Sequence, residues 1–237
     1  MIFVDSIFER LILPVIDQKV QAYRTQSAFD SARELLKSQS VSECLKGLSI
    51  VRRLCLDNPP NLQEHIDLLC EFVRDKASRR QETLGAWGQG VRSALILICS
   101  LPRYDRNNWS YHLDLSNIRL NDLKLERLNL ENAALFDSVF HNVDFGYSSF
   151  KSCDLGGSVF EASSSVEWCN FADSLMNCSF LTGVATSFFG TRLWGCNLEA
   201  ARIDRCKVQV VDGYNVQPVL NRHGAKVEVS LGQPQAA

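Results

Sequence analysis

The sequence predicts an α+β protein in which a helical N-terminal part is followed by a solenoid of short strands. Residues 20 to about 101 place apolar side chains at helical spacing, whereas Leu or Phe falls on every fifth residue from Leu115 to Phe160. A helix has about 3.6 residues per turn and a strand a period of about 2, so neither generates a period of five. The change of period near Leu113 therefore marks a change of architecture.

The helical part is predicted from three amphipathic stretches. In one of them, Leu62, Ile66, Leu69, Cys70 and Val73 fall on a single helix face. The segments "GLSIVRRLC" and "GQGVRSALILICSLP" show the same pattern. The break "NPP" lies between "GLSIVRRLC" and the stretch that begins at Leu62, and Asn61, which follows the break, is a candidate N-cap. We expect three or four short helices, packed as antiparallel hairpins, in a domain spanning residues 1–104.

The five-residue period predicts coils with four sides. A short extended piece followed by a two-residue corner turns the chain through about a right angle, so four pieces close a coil of about 20 residues that stacks at about 4.8 Å. Leu120, Phe140, Phe160 and Phe180 should then form one inward column. We expect about five coils over residues 105–212, followed over residues 213–237 by a strand or hairpin around His223 and a flexible tail.

Two stretches interrupt the period. In "EASSSVEW", Ser165 falls where an apolar residue is due, and Val166 or Trp168 is expected to fill the space through a bulge. The stretch "LTGVATSFFGTR" shifts the phase. After it the period continues through Leu193, Leu198, Ile203 and Val208.

The segments "CDLGG", "CNFAD", "CSFLT" and "CNLEA" resemble the pentapeptide-repeat family, whose pattern is a small residue, Asp or Asn, then Leu or Phe and two variable positions. The resemblance covers about 100 of the 237 residues and implies a right-handed quadrilateral β-helix. The helical part also resembles the segment that precedes the repeats in a group of bacterial pentapeptide-repeat proteins.

The position two residues before each central Leu or Phe departs from the family pattern at the start of the repeat. It holds Leu113, Ile118, Leu123 and Leu128 there and mostly Ala, Ser or Cys afterwards. We hypothesise that the helical domain packs on the open end of the first coil and covers it. Five of the nine cysteines occupy this position, which makes them small fillers and predicts reduced thiols in a cytoplasmic protein.

The sequence offers no template for catalysis, a cofactor or a metal. The four histidines are far apart, no CxxC pair occurs, and "GAWGQG" does not follow a strand as a phosphate loop would. A net charge of −2 gives no pull toward nucleic acid. The apolar runs are too short to span a membrane, and residues 1–16 are the one candidate in-plane anchor.

We therefore expect a non-enzymatic protein that binds another protein, in an oligomeric state that the sequence leaves open. Departures from a repeat carry information in a solenoid, and aromatic side chains dominate interface energetics. Repacking of a distorted coil is the competing explanation for the same aromatic residues. The candidate contact residues are Trp168, Phe188, Phe189, Trp194, Glu161 and Glu167.

Two alternatives stay open. Some pentapeptide-repeat proteins mimic DNA and bind gyrase, and six acidic residues against one basic between Asp137 and Asp173 fit such a role. Coil stacking argues against it, because Lys124 is expected next to Asp144 and Glu131 next to Lys151. The second alternative is a regulatory or toxin-neutralising protein whose helical half grips its partner.

Overall fold

The computed structural model describes residues 13–56, 61–78, 83–102, 104–105, 107, 109–161, 164–166 and 169–171, and five later strands between residues 180 and 228. Contacts within the chain divide it into two compact units, Met1–Leu62 and Gln63–Ala237. The predicted domains 1–104, 105–212 and 213–237 rest on the change of sequence period and stay a prediction.

The first unit contains an antiparallel helical hairpin, α1 (Leu13–Lys37) and α2 (Val41–Leu56). Ser40 caps α2, because its Oγ accepts a hydrogen bond from the Glu43 amide at 3.4 Å. The helices are in close contact at Gly47, where an added Cβ would lie 3.1 Å from the Ala32 carbonyl oxygen. The sequence predicted the hairpin, but α1 is longer than the short helices expected.

The helices of the second unit are α3 (Leu62–Lys76) and α4 (Gly88–Ser100), with a 3-10 turn at Gly85–Trp87 before α4. Ile66, Leu69 and Val73 are fully buried, which confirms the predicted apolar face of α3. None of the helices that the structure describes is both long enough and apolar enough to cross a bilayer.

The strands that follow are short and pair in parallel. Their bounds are β1 Leu113–Asp114, β2 Arg119–Asn121, β3 Ala133–Ala134, β4 Val139–His141, β5 Val159–Glu161, β6 Phe180–Leu181, β7 Thr191–Arg192, β8 Arg202–Ile203, β9 Lys207–Asp212 and β10 Lys226–Glu228.

Pairing recurs at four sites within each 20 residues. Leu113 pairs with Ala133, Arg119 with Val139, Lys124 with Asp144 and Asn129 with Ser149. Each partner lies 20 residues further along the chain, so the described coils stack in the register that the five-residue period predicted. The total of about five coils and the right-handed sense stay predictions.

The corners account for the five-residue spacing. Every fifth residue from 117 to 157 has a positive φ, between 54° and 67°. These residues are Asn117, Asp122, Arg127, Asn132, Asp137, Asn142, Tyr147, Ser152 and Gly157. One left-handed residue at each corner turns the chain into the next side, and Asn, Asp and Gly tolerate this conformation best.

The Asp or Asn before each central residue stabilises the corner that follows. The Oδ1 atoms of Asp144 and Asp154 each accept a hydrogen bond from the backbone amide two residues later, at 3.0 Å. Asp114 and Asn129 do the same for Ser116 and Glu131. These Asx turns are the physical reason for this position of the repeat pattern.

The central residues form the core, and the rings of Phe140 and Phe160 lie 4.7 Å apart in one column. Phe150 and Phe171 stack with an interplanar angle of 2°. The predicted column of Leu120, Phe140 and Phe160 is confirmed by the strand register.

The predicted continuation of that column to Phe180 is wrong. Phe160 pairs with Leu181, so the coil contains 21 residues rather than 20. The extra residue lies between Glu161 and Ser164, because Ser165 already pairs with Asp144 at the longer offset. Val166, one of the two residues that the sequence offered for the apolar position, is fully buried.

The segment around His223, where the sequence predicts a strand or hairpin, lies outside the described residues, so that expectation stays a prediction. A strand does form at Lys226–Glu228, and it pairs in parallel with Lys207–Asp212. The pair therefore continues the parallel arrangement of the coils.

Candidate protein-interaction surfaces

Glu161 is the one sequence-predicted contact residue whose surroundings the structure describes. Trp168, Phe188, Phe189, Trp194 and Glu167 lie outside the described residues. The prediction that these side chains form one contact surface therefore stays a prediction.

Glu161 lies at the end of β5 in a column of polar side chains. Asn121, His141 and Glu161 stand in register on successive strands, with His141 between the other two. The Glu161 Oε1 lies 3.3 Å from His141 Nδ1 and 3.3 Å from Arg119 Nη1. This carboxylate is thus engaged by its own protein, which weakens its case as a contact for a partner.

Opposite charges neighbour each other on another face of the coils. Lys124 pairs with Asp144, and its Nζ lies 3.0 Å from Glu126 Oε1. The hydrogen bond between the two side chains raises the pKa of Lys124 and lowers the pKa of Glu126. A column of uncompensated acids, as a DNA mimic requires, does not form here.

A loop between α4 and β1 presents an aromatic surface that sequence reasoning missed. The side chain of Trp109 is 71% exposed and that of Tyr104 is 46% exposed. We call Tyr104–Ser110 the Trp109 loop, because the backbone bridge between these two residues closes it. Trp and Tyr are enriched at protein interfaces, because their rings combine a large apolar area with a polar group.

The Asp105 side chain organises the inside of this loop. Its Oδ1 accepts hydrogen bonds from the amides of Asn107 and Trp109, both at 2.8 Å. The Asp105 amide in turn donates to the Trp109 carbonyl at 2.8 Å. Three hydrogen bonds therefore fix the backbone that carries the indole.

Gln63 anchors the end of the segment that leads from the loop into β1. Its Nε2 donates to the His112 carbonyl at 2.9 Å, and its Oε1 accepts from the His112 amide at 2.9 Å. Gln63 also donates to Asp67 at 2.7 Å, which fixes the rotamer of its side chain. The segment that follows the Trp109 loop is therefore tied to α3.

The signal that could have revealed this loop is present in "RYDRNNWSYH". An Asp followed by Asn residues indicates an Asx turn, and aromatic residues on both sides of it are exposed by the turn. The anchor, Gln63, is 49 residues away from His112, and no local pattern connects the two.

The described residues contain no group of His, Cys, Asp and Glu that could hold a metal ion. Burial raises the pKa of the Cys70 and Cys169 thiols to about 12, so these thiols stay protonated and unreactive at neutral pH. Neither of these two cysteines forms a disulfide bond.

No family model and no curated protein matches the chain. Solved structures of other proteins do match the chain. A pentapeptide repeat protein, Rfr23 from the cyanobacterium Cyanothece 51142, is 20% identical over 42% of this chain and 61% of its own, with a TM-score of 0.28.

HetL, a pentapeptide repeat protein involved in heterocyst differentiation regulation from Nostoc sp. PCC 7120, is 16% identical over 45% of this chain and 49% of its own, with a TM-score of 0.30. QnrB1, a plasmid-mediated fluoroquinolone resistance protein, is 12% identical over 49% of this chain and 78% of its own, with a TM-score of 0.28. This chain thus spans less than two thirds of the first two proteins, and similarity at this level carries no information about partners. Rfr23 and HetL are pentapeptide-repeat proteins, of the family that the five-residue pattern of this chain resembles.

Proposed function

We propose that the chain is a non-enzymatic, cytoplasmic protein-binding module, in which about five right-handed coils form a rigid scaffold. The observation that carries this proposal is the exposed Trp109 on a loop fixed by Asp105, with Gln63 anchoring the segment that follows the loop. A preorganised aromatic side chain loses little conformational entropy on binding, so most of its burial energy contributes to affinity.

The proposal is tested by comparing capture of partners by the wild-type chain and the Trp109→Ala variant. We expect the affinity for a captured protein to fall by at least about tenfold in the variant, as for a central interface aromatic. The melting temperature should not change, because the indole is 71% exposed. Partners are identified by mass spectrometry and their affinities measured with the purified protein.

Tyr147→Asn is the matched control. Tyr147 is also an exposed aromatic residue, at 60%, but it occupies a corner with a φ of 60°, which Asn tolerates. Equal loss of affinity in both variants, or no loss in Trp109→Ala, would contradict a role for the Trp109 loop.

The sequence-predicted residues provide a second test of the same function. Phe188→Ala and Phe189→Ala should weaken capture without a change in melting temperature if the irregular coil is a contact surface. A large fall in melting temperature instead would assign the two rings to repacking of the coil. If these two variants lose affinity for the partner while Trp109→Ala binds it fully, the interface lies on the irregular coil rather than on the Trp109 loop.

The DNA-mimic alternative is disfavoured by the register of Lys124 and Asp144 and by the engaged carboxylate of Glu161. It predicts inhibition of gyrase supercoiling by the purified chain at low salt, whereas we expect none. Inhibition that is lost on raising the salt concentration would restore that alternative.

A further inference from the structure

A groove of about 470 Å³ lies between α1 and α2 in the first unit. Its apolar lining includes Ile50 and the buried Leu54. It begins one helical turn beyond the close approach at Gly47, where the two helices are in tight contact.

The rim of the groove is basic and polar. Arg24 on α1 and Arg53 on α2 both line it and are exposed, and they are joined by the exposed hydroxyl residues Ser27 and Ser31. None of the described residues that line the groove is Asp or Glu. Together α1 and α2 carry seven Lys and Arg residues against four Asp and Glu, an excess of three positive charges.

Exposed apolar side chains extend the surface beyond the groove. Tyr23, which also lines it, is 77% exposed, and Val20 precedes it by three residues on α1 with 43% exposure. At the end of α2, Leu56 is 76% exposed. An apolar strip with a basic rim fits a ligand that is longer than a small molecule and that carries both aliphatic and acidic groups.

We propose that this groove binds an acidic amphipathic helix of a partner protein. Aliphatic side chains of the helix pack on Ile50 and Leu54, and its carboxylates accept hydrogen bonds from Arg24 and Arg53. The planar guanidinium group matches a carboxylate with two parallel hydrogen bonds, which gives the site its preference for Asp and Glu. A nucleic-acid backbone would satisfy the arginines but leave the apolar floor without a counterpart.

This site shares no residue with the Trp109 loop, so the two proposals stand or fall separately. The groove is tested on the full chain with a synthetic helical peptide of about 14 residues that carries Leu on one face and Glu on the other. A peptide with Lys in place of Glu is the charge-reversed probe. Binding is followed by fluorescence anisotropy of the labelled peptide.

We expect the Glu peptide to bind at least about tenfold more tightly than the Lys peptide. Arg24→Glu and Arg53→Glu should each weaken binding of the Glu peptide about fivefold or more, and Arg24→Gln should weaken it less. Lys46→Glu removes an exposed cation on α2 that does not line the groove, so it should leave the affinity within about twofold.

Three results would overturn the proposal. They are no binding of the Glu peptide at millimolar concentration, equal binding of the Glu and Lys peptides, and equal losses in Arg53→Glu and Lys46→Glu. Tighter binding of a short DNA duplex, lost in the same arginine variants, would assign the groove to phosphates instead. Circular dichroism of each variant checks that α1 and α2 are retained.

Discussion

The first coil and the coils after it solve the same packing problem with different side chains. Two residues before each centre, the first coil has large apolar residues, with Leu113 and Ile118 fully buried. At the same position the later coils have Ser158, Ser164 and Cys169, which are also buried. The difference lies in what each position faces.

In the later coils the small residue donates a hydrogen bond to the coil before it. Ser158 Oγ donates to the Leu135 carbonyl at 2.6 Å, and Cys153 Sγ donates to the Leu130 carbonyl at 2.8 Å. Ser148 both donates to the Leu125 carbonyl at 3.3 Å and accepts from the Leu128 amide at 2.9 Å. These side chains tie successive coils together in addition to the strand pairing.

The first coil has no preceding coil, and helices of the same unit take that place. Ile118 pairs with Ser78, and the Arg119 amide donates to the Ala77 carbonyl at 2.6 Å. Arg92 of α4 donates to the Lys124 carbonyl at 3.0 Å. An apolar side chain suits this end because it meets a helix surface. A hydroxyl group there would have no backbone carbonyls of a preceding coil to which it could donate. This supports the hypothesis, drawn from the sequence, that helices cover the open end.

The largest expected effect comes from placing a first-coil side chain in a later coil. Ser158→Leu should lower the free energy of unfolding by about 3 kcal/mol, because a fully buried position is overpacked and its hydrogen bond is lost. Urea denaturation measures the change. Ile118→Leu, an apolar exchange at the equivalent first-coil position, should cost less than about 1.5 kcal/mol. Similar costs for the two variants would remove the distinction between the coils.

The second-largest effect concerns the contact between Arg74 of α3 and Asp114 of the first coil. Arg74 forms an ion pair with Asp114 and donates to the Asp114 carbonyl at 2.9 Å. Arg74→Met should lower the free energy of unfolding by about 1–2 kcal/mol. Lys37→Met, which breaks the exposed pair with Glu34, is the control and should change it by less than about 0.5 kcal/mol. Equal effects would show that Arg74 does not fasten the end of the coils.

The ion pair between Arg74 and Asp114 predicts that the stability of the fold depends on pH. Burial alone raises the pKa of Asp114, but hydrogen bonds from Ser116 and the charge of Arg74 outweigh it and hold the pKa below its ordinary 3.8. A lowered pKa stabilises the fold above pH 3.8, and this contribution is lost as the pH falls through the folded-state value. The difference in stability between wild type and Asp114→Asn should therefore shrink below pH 3.8. A constant difference down to pH 2 would contradict it.

A smaller effect distinguishes the contribution of the hydrogen bond from that of side-chain volume at the position two residues before each centre. Ser158→Ala should cost about 1 kcal/mol, because the Leu135 carbonyl loses its side-chain donor. Cys153→Ser keeps a donor for the Leu130 carbonyl and should cost less than Ser158→Ala. If Ser158→Ala is neutral, the serines and cysteines are present for their size alone.

The smallest expected effect is a gain in stability. Ser152 has a φ of 57° at an exposed corner, so Ser152→Gly should relieve the left-handed strain and stabilise the chain by a few tenths to about 1 kcal/mol. Ser149→Gly is the control, because Ser149 lies on a paired side and donates to Glu131 at 3.0 Å. That change should destabilise the chain, and a gain in both variants would contradict the corner assignment.

The sequence predicted the coils well because each part of the five-residue unit has a local cause. The central Leu or Phe fills the core, and the Asp or Asn before it forms an Asx turn. The left-handed corner residue closes the unit. Val166 could be anticipated on the same grounds, because the core needs an apolar side chain at each centre.

The features that escaped the sequence depend on distant contacts. The shift from Phe180 to Leu181 follows from one extra residue after Glu161, in the stretch whose irregular sequence does not fix the length of the coil. The anchor of the segment after the Trp109 loop is Gln63, which only the folded chain brings to His112. The basic groove needs α1 and α2 side by side before Arg24 and Arg53 share a rim.

The central claim is that the Trp109 loop is held in place before any partner binds. Amide hydrogen exchange of the free protein tests it, because the amides of Trp109 and His112 donate to Asp105 Oδ1 and Gln63 Oε1, both near 2.9 Å or shorter. We expect both amides to exchange at least about a hundredfold more slowly than in an unstructured chain. Exchange of both at the unstructured rate would contradict the claim.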